Sequence, residues 1–305
     1  MGTSVEIEVV CRTRNLQGEC PVWNAAEQAL YWIDTRKPAL LRVDRAGRLD
    51  AWDMPRPIGS IAFRHAGGLV AAMQNGFCTI DLPDPPDSAA PPRVTPIIDP
   101  EPHRPDNRMN DGRCDRLGRF WCGSRDSDAS GNVAVNPTGS IYRLDADFRC
   151  STADRDYIIP NGMAFSPDDR TMLLADSGRE ILYAYDFDLA AGTIGNRRDF
   201  FSTRDMAGRV DGATCDADGC YWFALINGWS IVRLDPAGRI DRVIELPVRR
   251  PSMCCFGGPD LDVLYVTTSS INLTDAEVAA QPLAGMLLAV RGLGTRGVPE
   301  PWFAG

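Results

Sequence analysis

Four short segments set an oxygen-bearing side chain against a glycine: Gly18-Glu19, Asn110-Asp111-Gly112, Asn161-Gly162 and Asp211-Gly212. Glu19, Asn110, Asn161 and Asp211 offer carboxylate and amide oxygens, the donors that hard divalent cations take. Taken singly, an Asn-Gly or Asp-Gly step is a turn former. Recurrence says more, because the glycines that open successive units, Gly18, Gly59, Gly112, Gly162 and Gly212, lie 41, 53, 50 and 50 residues apart. At this place the second unit has Ile58 and the sixth has a residue near Met253, so four of six units present polar oxygen at one level. Two carboxylates and an asparagine meeting in a narrow space repel and stay poorly satisfied unless a cation joins them. One divalent metal ion is therefore expected. Oxygen-only donors suit Ca²⁺, Mg²⁺ or Mn²⁺, and Zn²⁺ and Fe²⁺ are compatible with them.

The units that carry these residues are built from short apolar runs. One kind closes on an acid, as in Leu40-Leu41-Arg42-Val43-Asp44, Phe77-Cys78-Thr79-Ile80-Asp81, Ile141-Tyr142-Arg143-Leu144-Asp145, Leu182-Tyr183-Ala184-Tyr185-Asp186 and Ile231-Val232-Arg233-Leu234-Asp235; a sixth, Met286 to Val290, lacks the acid. Upstream of each stands a second run, such as Leu30-Tyr31-Trp32-Ile33 or Tyr221-Trp222-Phe223-Ala224. Aromatic and branched runs separated by Gly/Asp/Pro turns read as antiparallel strands, and long amphipathic helical patterns are absent. A period of about 40–50 residues fits a four-stranded propeller blade. The fold expected is all-β, a six-bladed β-propeller forming a single domain over residues 1–305. Its innermost strands line a central channel, which is where the recurring polar residues converge. The proline-rich stretch from Pro83 to Asn107 is expected to be a long surface loop, since proline lacks the donor an interior strand needs.

Composition narrows the function classes. Of 305 residues 44% are hydrophobic and 24% charged, enough to bury a sizeable core. The balance of 32 Lys+Arg against 41 Asp+Glu, 32 − 41 = −9, with no basic cluster longer than a pair, argues against nucleic acid and favours a small, neutral, hydroxyl-rich ligand. No run approaches the ~18–20 apolar residues of a membrane span, and Met1 to Val10 lacks the basic-then-apolar profile of a signal peptide, so no membrane contact and a cytoplasmic location are expected. The ten cysteines contain no CxxC pair, which disfavours a zinc ribbon, and most are expected to be buried thiols. His65 and His103 are the only histidines, leaving little room for a histidine-based relay.

Gly18-Glu19-Cys20-Pro21-Val22-Trp23, Arg108-Met109-Asn110-Asp111-Gly112, Pro160-Asn161-Gly162-Met163-Ala164-Phe165, Val210-Asp211-Gly212 and Phe256-Gly257-Gly258-Pro259-Asp260 occur in the order of the signature segments of the regucalcin/gluconolactonase family, which the sequence resembles from about Leu16 to Ser270. The resemblance implies hydrolysis of a sugar lactone with one divalent cation. It implies that Glu19, Asn161 and Asp211 bind the metal and that Arg108 and Asn110 hold the lactone. The family's acidic substrate contact falls at Asp128 or at the neighbouring Asp126, and Cys20 stands where the family usually has glycine. Asp211 is the candidate general base, a carboxylate at the metal's edge able to take the proton of the attacking water. Trp229 is expected inside a blade rather than against a sugar face. The rival readings are a calcium-dependent arylesterase or phosphotriesterase, which commonly recruits a histidine base, and a calcium-binding propeller without enzymatic activity.

Overall fold

The structure is a computed structural model and describes residues 4–83, 90–127 and 136–305. Its strands form six four-stranded sheets arranged as the blades of a β-propeller. In the first five blades the chain runs outward from the axis, strand by antiparallel strand, beginning with Gly18–Asn24, Ile58–Phe63, Asn107–Cys114, Pro160–Phe165 and Arg209–Cys215. The sixth blade starts at Pro251–Gly257 and takes its outermost strand from the other end of the chain, Glu6–Cys11, which pairs antiparallel with Leu287–Arg291. Each innermost strand touches the next all the way round.

The apolar runs of the sequence are the second and third strands of the blades. Ala29–Asp34, Leu69–Met73 and Val263–Thr268 are buried at every position, because both faces pack against neighbouring blades. That explains why they read as continuous apolar runs and not as alternation. Trp121 and Trp222 occupy one place in the third and fifth blades, each donating its indole N–H to an aspartate, and with Trp32 of the first blade they are fully buried. The outermost strands behave differently: Leu49–Asp53 alternates between exposed and buried, and Thr193–Ser202 is exposed or half-buried throughout. One of these corrects the expectation of an unbroken surface loop, since Arg93–Ile98 is the outermost strand of the second blade, with Pro96 opposite Cys78. An edge strand tolerates proline where its missing N–H would face outward. Residues 84–89 of that stretch lie outside the described residues.

The last residues cross one end of the ring. Gly297 donates to the Leu261 carbonyl and bridges Asp216, Phe303 donates to the Phe63 carbonyl, and Ala304 donates to the Gly118 carbonyl, so the segment fastens to four blades. Phe303 is wholly buried and stacks on Phe148. Beneath it Arg113, on the third blade's innermost strand, donates to the Ala213 carbonyl (2.7 Å) and to Glu300 (2.5 Å), spanning to the fifth blade and to the terminal segment. One end of the channel is thereby closed. Among the described residues the one α-helix, Asp275–Ala280, carries a capping box between Thr274 and Glu277.

Candidate functional site

Every innermost strand carries one more residue than its partner across a single step of the ladder. In the four blades with polar residues, three positions face two: Glu19 to Val22, Met109 to Gly112, Asn161 to Ala164 and Val210 to Ala213. Such bulges leave residues out of the ladder and re-aim their side chains. Asn110, Asp111 and Asp211 lie inside these steps, and Glu19 and Asn161 begin them. Glycine follows because the strands converge. Gly162 has φ +60, and a Cβ on Gly59 would meet the Asn110 carbonyl oxygen at 2.5 Å.

The result is a cavity of about 160 Å³ at the open end of the channel, with Glu19, Arg108, Asn110, Asp111, Asn161 and Asp211 on its wall. All five residues that the sequence assigned to metal or substrate from the innermost strands come together here. Asn161 is the hub: its Oδ1 accepts from Asn110 Nδ2 (2.6 Å), and its Nδ2 donates to Asp211 Oδ1 (2.9 Å) and to Ser177 Oγ (3.0 Å). Asn110 spends its other amide hydrogen on the Pro160 carbonyl (2.9 Å), which leaves its Oδ1 as an acceptor for a ligand. Glu19 accepts from Gln17 (3.1 Å), and Arg108 donates to the Met109 carbonyl (3.0 Å).

Charge in this cavity is held under strain. Burial, reinforced by the charge of Asp111, pushes Asp211 up to about 7; burial, then Asp211, holds Glu19 well above the usual carboxylate range; burial pushes Asp111 up to about 6. Glu19 and Asp211 make no ion pair with any described residue, and Asp111, whose Oδ2 accepts from the Met163 amide (3.0 Å), has a buried Oδ1 with no hydrogen-bond partner. No group of three His, Cys, Asp or Glu side chains stands ready for a metal among the described residues. The available set is instead two carboxylates and the Asn161 amide oxygen, all hard donors with spare lone pairs, and that chemistry fits a hard divalent cation.

Other assignments turn out differently. Asp126 is not on the cavity wall, its neighbour Arg125 is, and Asp128 lies outside the described residues. Cys20 packs away from the cavity among Ile58, Ile61 and Met253, its sulfur accepting from the Ile61 amide (3.2 Å); burial pushes its thiol up, so it is inert. It sits at φ 47, the left-handed region that glycine adopts at no steric cost. Trp229, expected inside a blade, is 43% exposed in a turn and does not line the cavity. Neither histidine lines it: His65 packs on Trp302 at the closed end, and His103 is exposed.

Sequence reasoning missed Asp111 as a site carboxylate, although it stands inside a quoted motif, and it missed four cations. Arg36, Arg125, Arg209 and Arg250 join Arg108 on the cavity wall. Arg36 lies on the turn after the first blade's second strand, Arg125 is the penultimate residue of the second strand of the third blade, Arg209 opens the fifth blade, and Arg250 precedes the sixth. Arg209 and Arg250 stand just before the bulges of their innermost strands, the place Arg108 holds in the third blade, while Arg36 and Arg125 have no such shared place. The absence of a basic cluster along the chain does not carry over into space. Burial, then the charges of Arg125 and Arg36, brings Arg108 down to about 9.

A family model described as the SMP-30/Gluconolactonase/LRE-like region matches residues 17–270. The chain is 36% identical to a 6-deoxy-6-sulfogluconolactonase of Pseudomonas putida over 98% of its own length and 99% of that protein's. It is 32% identical to regucalcin of Gallus gallus over 99% and 100%. Among solved structures it superposes on a luciferin-regenerating enzyme with TM-score 0.90 at 28% identity, covering 99% of this chain and 100% of that one. A regucalcin of Agrobacterium tumefaciens, described as a calcium-binding protein, gives TM-score 0.88 at 26% identity over 99% and 97%.

Proposed function

The chain belongs to the SMP-30/Gluconolactonase/LRE-like family, and on that premise we propose that it is a lactonase that opens a sugar lactone to the aldonic acid with one divalent metal ion. The observation that supports this reading is the meeting of Glu19, Asn161 and Asp211 on one cavity wall with Arg108 and Asn110, Asn161 donating to Asp211. Glu19, Asn161 and Asp211 would hold the ion. A divalent ion at such a site supplies Lewis acidity to a carbonyl and to a water. The rest is the work of the chain. Asp211, tethered through Oδ1 to Asn161, takes a proton from the attacking water as the water oxygen bonds to the carbonyl carbon. The ring C–O bond then breaks, and the departing oxygen takes up a proton to become the hydroxyl of the open acid. Arg108 donates to a ligand oxygen, and Asn110 Oδ1 accepts from a ligand hydroxyl.

An esterase or phosphotriesterase with a histidine base finds no support, because neither histidine lines the cavity. A calcium-binding protein without catalysis differs from a lactonase in turnover alone. A panel of aldono-1,4- and aldono-1,5-lactones, followed by acid release with and without chelator, decides between them. Chelator-sensitive lactone hydrolysis is the expected result. Metal binding with no turnover of any lactone would leave the binding protein as the surviving reading.

A further inference from the structure

We propose that the lactone carries an ionised group of the sulfonate, phosphate or carboxylate class on a carbon remote from its ring carbonyl, and that Arg36 and Arg125 select it. This rests on the lactonase reading above. The cavity wall brings five arginines against three carboxylates, 5 − 3 = +2, inside a chain whose net charge is −9. A divalent ion raises the local sum to +4. Elsewhere the fold matches buried cations to acids: Arg113 to Glu300, Arg119 to Asp115, Arg42 to Asp50, Arg233 to Asp216. None of the five cavity arginines has an ion pair with a described residue. Arg108 is buried, Arg125, Arg209 and Arg250 are half-buried, and Arg36 is exposed; positive charge left without an acid on a cavity wall is complementary to an anion.

The donors still available make the point sharper. Arg36 is held on its turn by the Asp34 carboxylate, which accepts from the Arg36 amide (3.0 Å), and its side chain uses only Nε, toward Gln17 (3.4 Å). Arg125 likewise uses only Nε, toward the Asp126 carbonyl (3.1 Å). Both terminal nitrogens of each guanidinium have no partner among the described residues. That is the fork which binds an oxyanion in two parallel bonds. A neutral polyol needs acceptors as well as donors, and arginine has none. Arg36 and Arg125 come from the second strand and its following turn, a layer outward from the innermost strands that carry Glu19, Asn161 and Asp211. The anionic group therefore lies away from the axis, and the lactone carbonyl lies on it.

The test compares the metal-loaded protein on D-glucono-1,5-lactone with congeners carrying sulfonate, phosphate or carboxylate at the terminal carbon. At least one anionic congener should be preferred by about tenfold or more in kcat/KM, and its identity distinguishes the three anion classes. Arg36→Ala and Arg125→Met should each erase most of that preference, chiefly through KM, with Arg125→Lys restoring part of it. Preference for the neutral lactone, or equal losses on neutral and anionic lactones, would overturn the inference while leaving a lactonase. If no lactone turns over, the lactonase reading falls, and calorimetry decides the anion site on its own. D-glucitol 6-phosphate should bind at least about tenfold tighter than D-glucitol and lose that advantage in Arg125→Met; equal affinities would overturn it.

Discussion

The two ends of the central channel handle the same residue types in opposite ways. At the closed end Arg113 meets Glu300 at 2.5 Å, and Asp115 and Asp216 take Trp121 and Trp222 indole donors at 2.8 Å together with Arg119 and Arg233. At the open end Glu19, Asp111 and Asp211 crowd one another, and the arginines around them have no acid of their own. Closed-end charges are satisfied within the chain and serve stability. Open-end charges have no opposite partner in an ion pair among the described residues. An active site is the place where a fold is expected to keep such strain.

The largest effect should come from breaking the satisfied end. Glu300→Ala leaves Arg113 buried without its acid, and loss of one partner of a buried pair costs about 3–5 kcal/mol. Denaturant unfolding should read that loss, with kcat on a lactone nearly unchanged; a large fall in kcat would mean that the two ends are coupled. At the open end Asp211→Asn should act the other way round. Its shape and one oxygen donor survive while the proton acceptor is lost, so kcat should fall by about 10²-fold or more at saturating metal, with little loss of stability. Full recovery of kcat on adding metal would leave Asp211 a ligand and move the base elsewhere.

A third, smaller effect separates the ends by pH. In chelated protein Asp211 titrates near 7 when folded, above the ordinary value of about 4 for an unfolded aspartate. Its contribution to stability is therefore full below pH ~4 and is lost as pH rises through about 7. Thermal unfolding of chelated wild type should weaken over that window relative to Asp211→Asn, and added metal should restore wild type at the upper end by mass action. Parallel curves for the two proteins would show that the carboxylate is not strained. The smallest effect concerns Cys20→Gly. Relief of its left-handed backbone and loss of its packing oppose each other, for a net change under about 1 kcal/mol. Metal affinity, read by titration, should not move; a shift would place the thiol in contact with the ion.

The same contrast explains what could be read from the chain. Glu19, Asn110, Asn161 and Asp211 were legible because each sits at a bulge of an innermost strand, and the bulge recurs with the blade. The second and third strands were legible because burial on both faces makes them continuously apolar. The outermost strands gave little signal: Thr193–Ser202 is scarcely buried anywhere, and Arg93–Ile98 contains a proline. Arg36 and Arg125 gave none, since they enter the cavity from a turn and a second strand of single blades; Arg209 and Arg250 repeat the place of Arg108 before a bulge, a recurrence that only the register reveals. Net charge pointed away from them, because an average over 305 residues says nothing of five that converge.

The strand Glu6–Cys11 has a consequence in time. Its partner, Leu287–Arg291, lies some 280 positions later, so the pairing that completes the sixth blade is the most sequence-distant in the ring. At a synthesis rate of about 5–20 residues per second, the early strand waits roughly 14–55 s on the ribosome before its partner exists. Contacts of such separation must overcome a large loop-closure entropy before they are rewarded, which makes ring closure a late and slow event. Until then the unpaired strand and the unfinished blade are sticky edges. A circular permutant that begins at Gly18 and joins Gly305 through a linker to the segment carrying Glu6–Cys11 would bring the two pairing strands close in sequence and should shorten the slowest refolding phase.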